Sequence, residues 1–193
     1  MTVGIFGGSF NPPHMGHLIV LESVHDQLQF DKVLFVPSAQ PPNKRDTVLA
    51  RAESRLEMTR LAIAGNPHFE ASDIEVKRQG LSYTIDTLTA LCGQYPAASF
   101  SLIIGVDNFI EFQTWKAADE ILARADLVVM NRPGYPAADA RSEFGRHARF
   151  VNVPQIGISS TDIRRRVKHG RPIRYLVPET VEMYITQRRL YRD

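Results

Sequence analysis

Short apolar runs that stop on glycine or proline, with amphipathic segments between them, constrain this chain more than any other feature. Val3 to Phe6 runs into Gly7-Gly8, Lys32 to Val36 stops at Pro37, and Ser101 to Ile104 stops at Gly105. Residues 126–130 run in the same way into Asn131-Arg132-Pro133-Gly134. Runs this short and this apolar read as strands covered on both faces. Between the first two, Leu18, Leu21, Val24 and Leu28 recur at helical spacing within residues 16–29. Residues 49–64 carry a charged helical pattern closed by Gly65-Asn66-Pro67, and residues 83–94 another. Strand and helix in alternation predict an α/β fold with a mostly parallel sheet. Residues 69–76 read as an irregular strand pair, 136–146 as an alanine-rich charged surface segment, and 149–153 as a last strand. Two helices, over 160–169 and 178–189, close the chain.

No repeat or linker divides the 193 residues, so one domain is expected, with a sheet core over 1–155 and a helical part over 156–193. The formal net charge of +2 is small for this length and gives little support to a dedicated nucleic-acid binder. Cys92 is the single cysteine, which excludes a disulfide framework and a cysteine-built zinc site and suits a reducing cytoplasm. The N-terminus lacks the basic flank and apolar stretch of a signal peptide, and no 18 apolar residues follow one another, so no membrane span is expected. Oligomeric state is left open; a homo-oligomer is compatible with everything above.

The chemistry concentrates first in Gly7-Gly8-Ser9-Phe10-Asn11-Pro12-Pro13-His14-Met15-Gly16-His17. Glycines after a first parallel strand let a phosphate come close to the backbone, and the next helix offers unpaired N–H groups to an anion. His14 and His17 are three residues apart and share a face of a first helical turn, with Gly16 between them leaving room for a ligand. A second helix start, Ile158-Ser159-Ser160-Thr161-Asp162-Ile163-Arg164, joins a capping-box spacing to hydroxyls and an arginine suited to polyphosphate. The basic residues that follow, among them Arg165, Arg166 and Lys168, read as a solvated face.

Together the two segments resemble the H-x-G-H and I-S-S-T-x-I-R motifs of the adenylyl- and cytidylyltransferases, distant relatives of class I aminoacyl-tRNA synthetases. The resemblance implies a Rossmann-like, doubly wound parallel sheet with C-terminal helices. It implies that His14, His17 and Arg164 are catalytic, and that ATP meets Gly7, Gly8, Ser9, Phe10, Gly105, Ile158, Ser159, Ser160 and Thr161. A Mg²⁺ ion would arrive on the ATP phosphates, with no metal ligand assigned to the protein.

The middle of the chain is similar to the bacterial nicotinate mononucleotide adenylyltransferases in Pro41-Pro42-Asn43-Lys44, Ser82-Tyr83-Thr84, Gly105-Val106-Asp107, Thr114-Trp115 and Arg132-Pro133-Gly134-Tyr135. That similarity implies an acceptor site made of Lys44, Tyr83, Thr84, Asp107, Trp115 and Arg132. Trp115, the one tryptophan, would stack on the pyridine ring while main-chain groups near Thr84 receive its carboxylate. The chain departs from the family pattern at Asn43, where histidine is usual, and at Lys116, where an aromatic residue often follows the tryptophan. The expected reaction is transfer of AMP from ATP to nicotinate mononucleotide, giving deamido-NAD and pyrophosphate. Other readings are a sister transferase acting on nicotinamide mononucleotide, phosphopantetheine, FMN or a polyol phosphate, and a non-catalytic nucleotide sensor. A tRNA-binding role is disfavoured by the low charge and the lack of room for an anticodon domain.

Overall fold

A computed structural model describes residues 1–41, 49–131 and 144–192. Six strands lie side by side, all parallel, in the order β3-β2-β1-β4-β5-β6. They are β1 (Thr2–Gly8), β2 (Lys32–Pro37), β3 (Phe69–Ala71), β4 (Ser99–Gly105), β5 (Ala125–Asn131) and β6 (Ala148–Asn152). This is the doubly wound Rossmann-like arrangement, in which the chain starts at the centre and winds outward first one way and then the other.

The apolar runs are covered on both faces, as their composition predicts. Side chains alternate across the sheet, so Phe6, Val33, Phe35, Ile103 and Val128 enter one core while Ile5, Leu34, Val36, Leu102 and Leu127 enter the other. Over the first face pack α1 (Met15–Leu28), α2 (Ala52–Ile63), α7 (Ser160–Lys168) and α8 (Glu179–Gln187), through Leu21, Met58, Ile163 and Val181 among others. Over the second pack α4 (Thr84–Gln94), α5 (Val106–Ile110) and α6 (Ala118–Leu122), through Leu88, Phe109 and Ile121. No described helix is long and apolar enough to cross a membrane.

One expectation is corrected. Residues 69–76 are not a strand pair: β3 covers only Phe69–Ala71, and after a turn Asp73 starts the short helix α3 (Ile74–Arg78). Helices α5 and α6 and the 3₁₀ turn Phe112–Thr114 were not anticipated either. Of the surface segment expected over 136–146, residues 136–143 lie outside the described residues, and 144–146 fall in the 3₁₀ turn Phe144–His147.

The register explains where a ligand can enter. Strands β1 and β4 pair from Thr2↔Ser99 to Ile5↔Leu102 and then part, although β1 stays with β2 as far as Gly8↔Pro37 and β4 with β5 as far as Gly105↔Met130. A crevice therefore opens between Phe6–Gly8 and Ile103–Gly105. It lies at the carboxyl ends of the strands where the winding reverses, the place where open α/β sheets receive ligands.

Candidate active site

One side of the crevice carries the two phosphate motifs. After β1 the chain turns through Phe10, whose φ of 45° swings its ring into the core, where it is 2% exposed. Phe10 is among the residues expected to meet ATP, and its ring faces the core. The ring stands edge-on beneath His17, 5.3 Å between centroids. His14 is the N-cap of α1, and its backbone N–H donates to His17 Nδ1 at 3.1 Å. With Nδ1 accepting, the proton of a neutral His17 sits on Nε2, so that nitrogen is a donor. The two imidazoles stack at 3.6 Å. Gly16 permits this: a Cβ there would come 3.0 Å from His14 Nδ1 and 3.3 Å from the Ile156 side chain.

Burial pushes the His14 pKa down from 6.5 to about 4, so its imidazole is neutral at pH 7. Its Nδ1 is buried without a hydrogen-bond partner. A depressed pKa stabilises the fold above pH 6.5, and that contribution is lost as pH falls toward 4, because the unfolded chain takes up the proton first. In urea titrations, the stability difference between wild type and a His14→Gln variant is expected to shrink by about 2 kcal/mol between pH 7 and pH 5. A pH-independent difference would contradict this reading of His14.

The second motif, some 150 residues away in sequence, closes directly onto the first. Ser160 Oγ donates to Pro12 O at 2.8 Å, and Arg164 Nη1 donates to Asn11 O at 2.9 Å. Ser159 caps α7 by accepting from the Asp162 N–H at 3.1 Å, which keeps its own hydroxyl proton free to donate elsewhere. Arg164 Nη2 reaches Thr161 Oγ1 at 3.3 Å. Ser160 thus spends its proton on the first motif, so its hydroxyl joins the motifs and only its backbone N–H is left to meet an anion. Ile158 packs against the core beneath.

A third group, missed from sequence, fixes the loops. Arg55 of α2 is 1% exposed, and its guanidinium donates to four carbonyls: Ser9 O, Ser38 O, Ala39 O and Ala50 O, at 2.6–2.9 Å. It ties the turn after β1 to the turn after β2 and to the approach of α2. Asn11, 0% exposed, extends the tie by accepting from the Ala50 N–H at 3.1 Å and the Tyr191 hydroxyl at 2.9 Å. Burial pushes the Tyr191 phenol well above its usual range, so it is a donor at any ordinary pH.

The other side of the crevice is a cleft of about 320 Å³, at the lower end of small-molecule sites. Its lining brings Gly7, Gly8 and Ser9, expected to meet ATP, together with Tyr83, Thr84 and Trp115, expected to meet the acceptor. Trp115 is half-buried and braced by Phe112, 5.4 Å between ring centroids. Asp107 is an exposed residue in the first turn of α5, and its equally exposed neighbour Asn108 lines the cleft. Gly105 ends β4 with open space around it, where an added Cβ would meet nothing within 4 Å. Lys44 and Arg132 lie outside the described residues.

Glu75 was also missed. It lines the cleft while nearly buried, and its Oε1 accepts from the Thr87 hydroxyl at 2.6 Å. Burial raises its pKa, opposed by the hydroxyls of Ser82 and Thr87.

A divided parallel sheet, two helix starts joined by hydrogen bonds and an adjoining aromatic cleft are the arrangement of a Rossmann-like nucleotidyltransferase. The sequence model of the cytidylyltransferase-like family matches residues 5–166, and the chain belongs to that family. Within it, the chain is a member of the nicotinate-nucleotide adenylyltransferases. It is 46% identical over 192 residues to a Salinibacter ruber protein named probable nicotinate-nucleotide adenylyltransferase, covering 100% of this chain and 98% of its relative. A Thermus thermophilus protein of the same name is 44% identical, with 100% of each chain covered. The nicotinic acid mononucleotide adenylyltransferase of Plasmodium falciparum, solved with NaAD, has the same fold, with a TM-score of 0.80 at 20% identity over 98% of this chain and 97% of that one.

Proposed function

We infer that this protein transfers the AMP of ATP to nicotinate mononucleotide, forming deamido-NAD and pyrophosphate, a step of NAD biosynthesis. The observation that carries this reading is the crevice between β1 and β4, with the joined phosphate motifs on one side and the Tyr83–Trp115 cleft on the other. An acceptor whose pyridine ring occupies the cleft would direct its phosphate past Gly7–Ser9 toward His14 and His17.

An oxygen of that phosphate attacks the α-phosphorus of ATP in line, the new P–O bond forming as the bond to the β-phosphate oxygen breaks. The acceptor is already an anionic nucleophile, so neither a general base nor a covalent intermediate is required. Catalysis is then a matter of alignment and of donors aimed at developing charge. His17 Nε2–H donates to the reacting phosphate, and neutral His14 supports it by stacking. Arg164, the Ser159 hydroxyl and the first N–H groups of α7 hold the departing pyrophosphate.

A magnesium ion on the ATP phosphates would neutralise part of their charge.

Pyrophosphate release with ATP, Mg²⁺ and either nicotinate or nicotinamide mononucleotide tests the reading. Turnover with a strong preference for the nicotinate form is expected. Equal use of both would remove the carboxylate-reading role of the cleft, and silence with both would point to another acceptor.

A further inference from the structure

We propose that Lys116 is a specificity-determining residue, its ammonium group forming a cationic wall of the acceptor cleft that favours the carboxylate of a nicotinate ring over the neutral carboxamide. The proposal deepens the acceptor reading above and rests on it. Lys116 lines the same cleft as Tyr83, Thr84 and Trp115. Its side chain bends back over the start of α4, with Nζ 4.5 Å from the centre of the Tyr83 ring. Nζ also lies 3.4 Å from each carboxylate oxygen of Asp86. Both distances are long for charge-assisted hydrogen bonds, so Asp86 steers the ammonium without saturating its three donors.

The surroundings make this cation matter for one acceptor and not the other. Tyr83, the N-cap of α4, supplies no side-chain cap, so the first N–H groups of that helix are available to a ligand beside Thr84. A carboxylate held between these N–H groups and Lys116 meets positive potential from two directions. A carboxamide could accept one hydrogen bond but carries no net charge for the lysine to attract. Of the acidic groups nearby, Asp86 offsets part of the lysine's field, while Glu75 is turned to the Thr87 hydroxyl. Where the related enzymes often carry an aromatic ring after the tryptophan, this chain instead lays a cation on Tyr83. The alternative, that the lysine only pairs with Asp86, has little energetic basis, because half-exposed pairs of this kind contribute little to stability.

The test is kcat/KM for nicotinate and nicotinamide mononucleotides with ATP and Mg²⁺, for wild type, Lys116→Met, Lys116→Arg and Asp86→Asn. Lys116→Met is expected to lose roughly five- to tenfold with the nicotinate form, mainly through KM, and much less with the nicotinamide form. Lys116→Arg, which keeps the charge, should retain the preference, and Asp86→Asn should retain or increase it. A Lys116→Met variant that loses equally on both acceptors, or keeps the wild-type ratio, would overturn the proposal. If wild type prefers nicotinate and that ratio survives Lys116→Met, the acceptor reading stands and the lysine's role falls. Wild type silent with both acceptors would overturn both.

Discussion

Replacing His17 by alanine is expected to lower kcat by a factor on the order of 10²–10³, with a much smaller effect on KM for ATP and near-wild-type thermal stability. The reason lies in how the ring is held. The His14 N–H fixes its tautomer at 3.1 Å, the His14 ring covers one side at 3.6 Å, and Phe10 supports it edge-on. A donor fixed in this way is aligned before charge builds on the reacting phosphate, so its benefit falls on the transition state more than on ATP binding. Alanine removes the donor while leaving Phe10 in the core. His17→Gln, whose amide offers an N–H at comparable reach, should lose less than alanine. Single-turnover rates at saturating ATP and acceptor check this, and an alanine variant within a few-fold of wild type would remove His17 from the proposed chemistry.

The core strands were legible because each is a short apolar run with a hard stop, and burial on both faces leaves no room for polar interruption. The stretch Phe69-Glu-Ala-Ser-Asp-Ile-Glu-Val76 misled for a physical reason. Apolar residues at 69, 71, 74 and 76 keep an almost two-residue period that resembles a strand, yet the chain turns after Ala71 and Asp73 starts a helix. Helices α5 and α6, at five residues each, are too short for a 3.6-residue period to show.

At the site, local chemistry was readable and convergence was not. The histidine pair and the Ser159–Arg164 helix start announce themselves by spacing, but nothing in the sequence says that Ser160 and Arg164 spend donors on Pro12 and Asn11. The inward turn of the Phe10 ring was not readable either, because it depends on a positive φ that a non-glycine residue rarely adopts. Arg55 was hidden by the charged residues around it on α2. A signal did exist: Arg55, Thr59 and Ile63 follow one another at four-residue spacing, and all three are buried. An arginine on an apolar helical stripe needs acceptors from somewhere, and loops at the carboxyl ends of parallel strands are rich in free carbonyls.

That convergence sets the largest expected effect on stability. Arg55→Met keeps much of the side chain's length and bulk but strands the carbonyls of Ser9, Ser38, Ala39 and Ala50 in a buried region. Each stranded group costs roughly 1–3 kcal/mol where water cannot reach it, and partial relaxation of the loops reduces the sum, so a loss of about 3–5 kcal/mol is expected. Arg55→Lys retains the charge, though a single ammonium cannot span four acceptors, and should fall between the two. Urea denaturation midpoints measure both variants. Three of the four carbonyls belong to the turns after β1 and β2 that border the crevice, so Arg55→Lys, where folded, should also show a raised KM for ATP and acceptor. A methionine variant within 1 kcal/mol of wild type would mean that water or a shifted loop satisfies these carbonyls as well as the guanidinium does, and Arg55 would then no longer be what holds the site together.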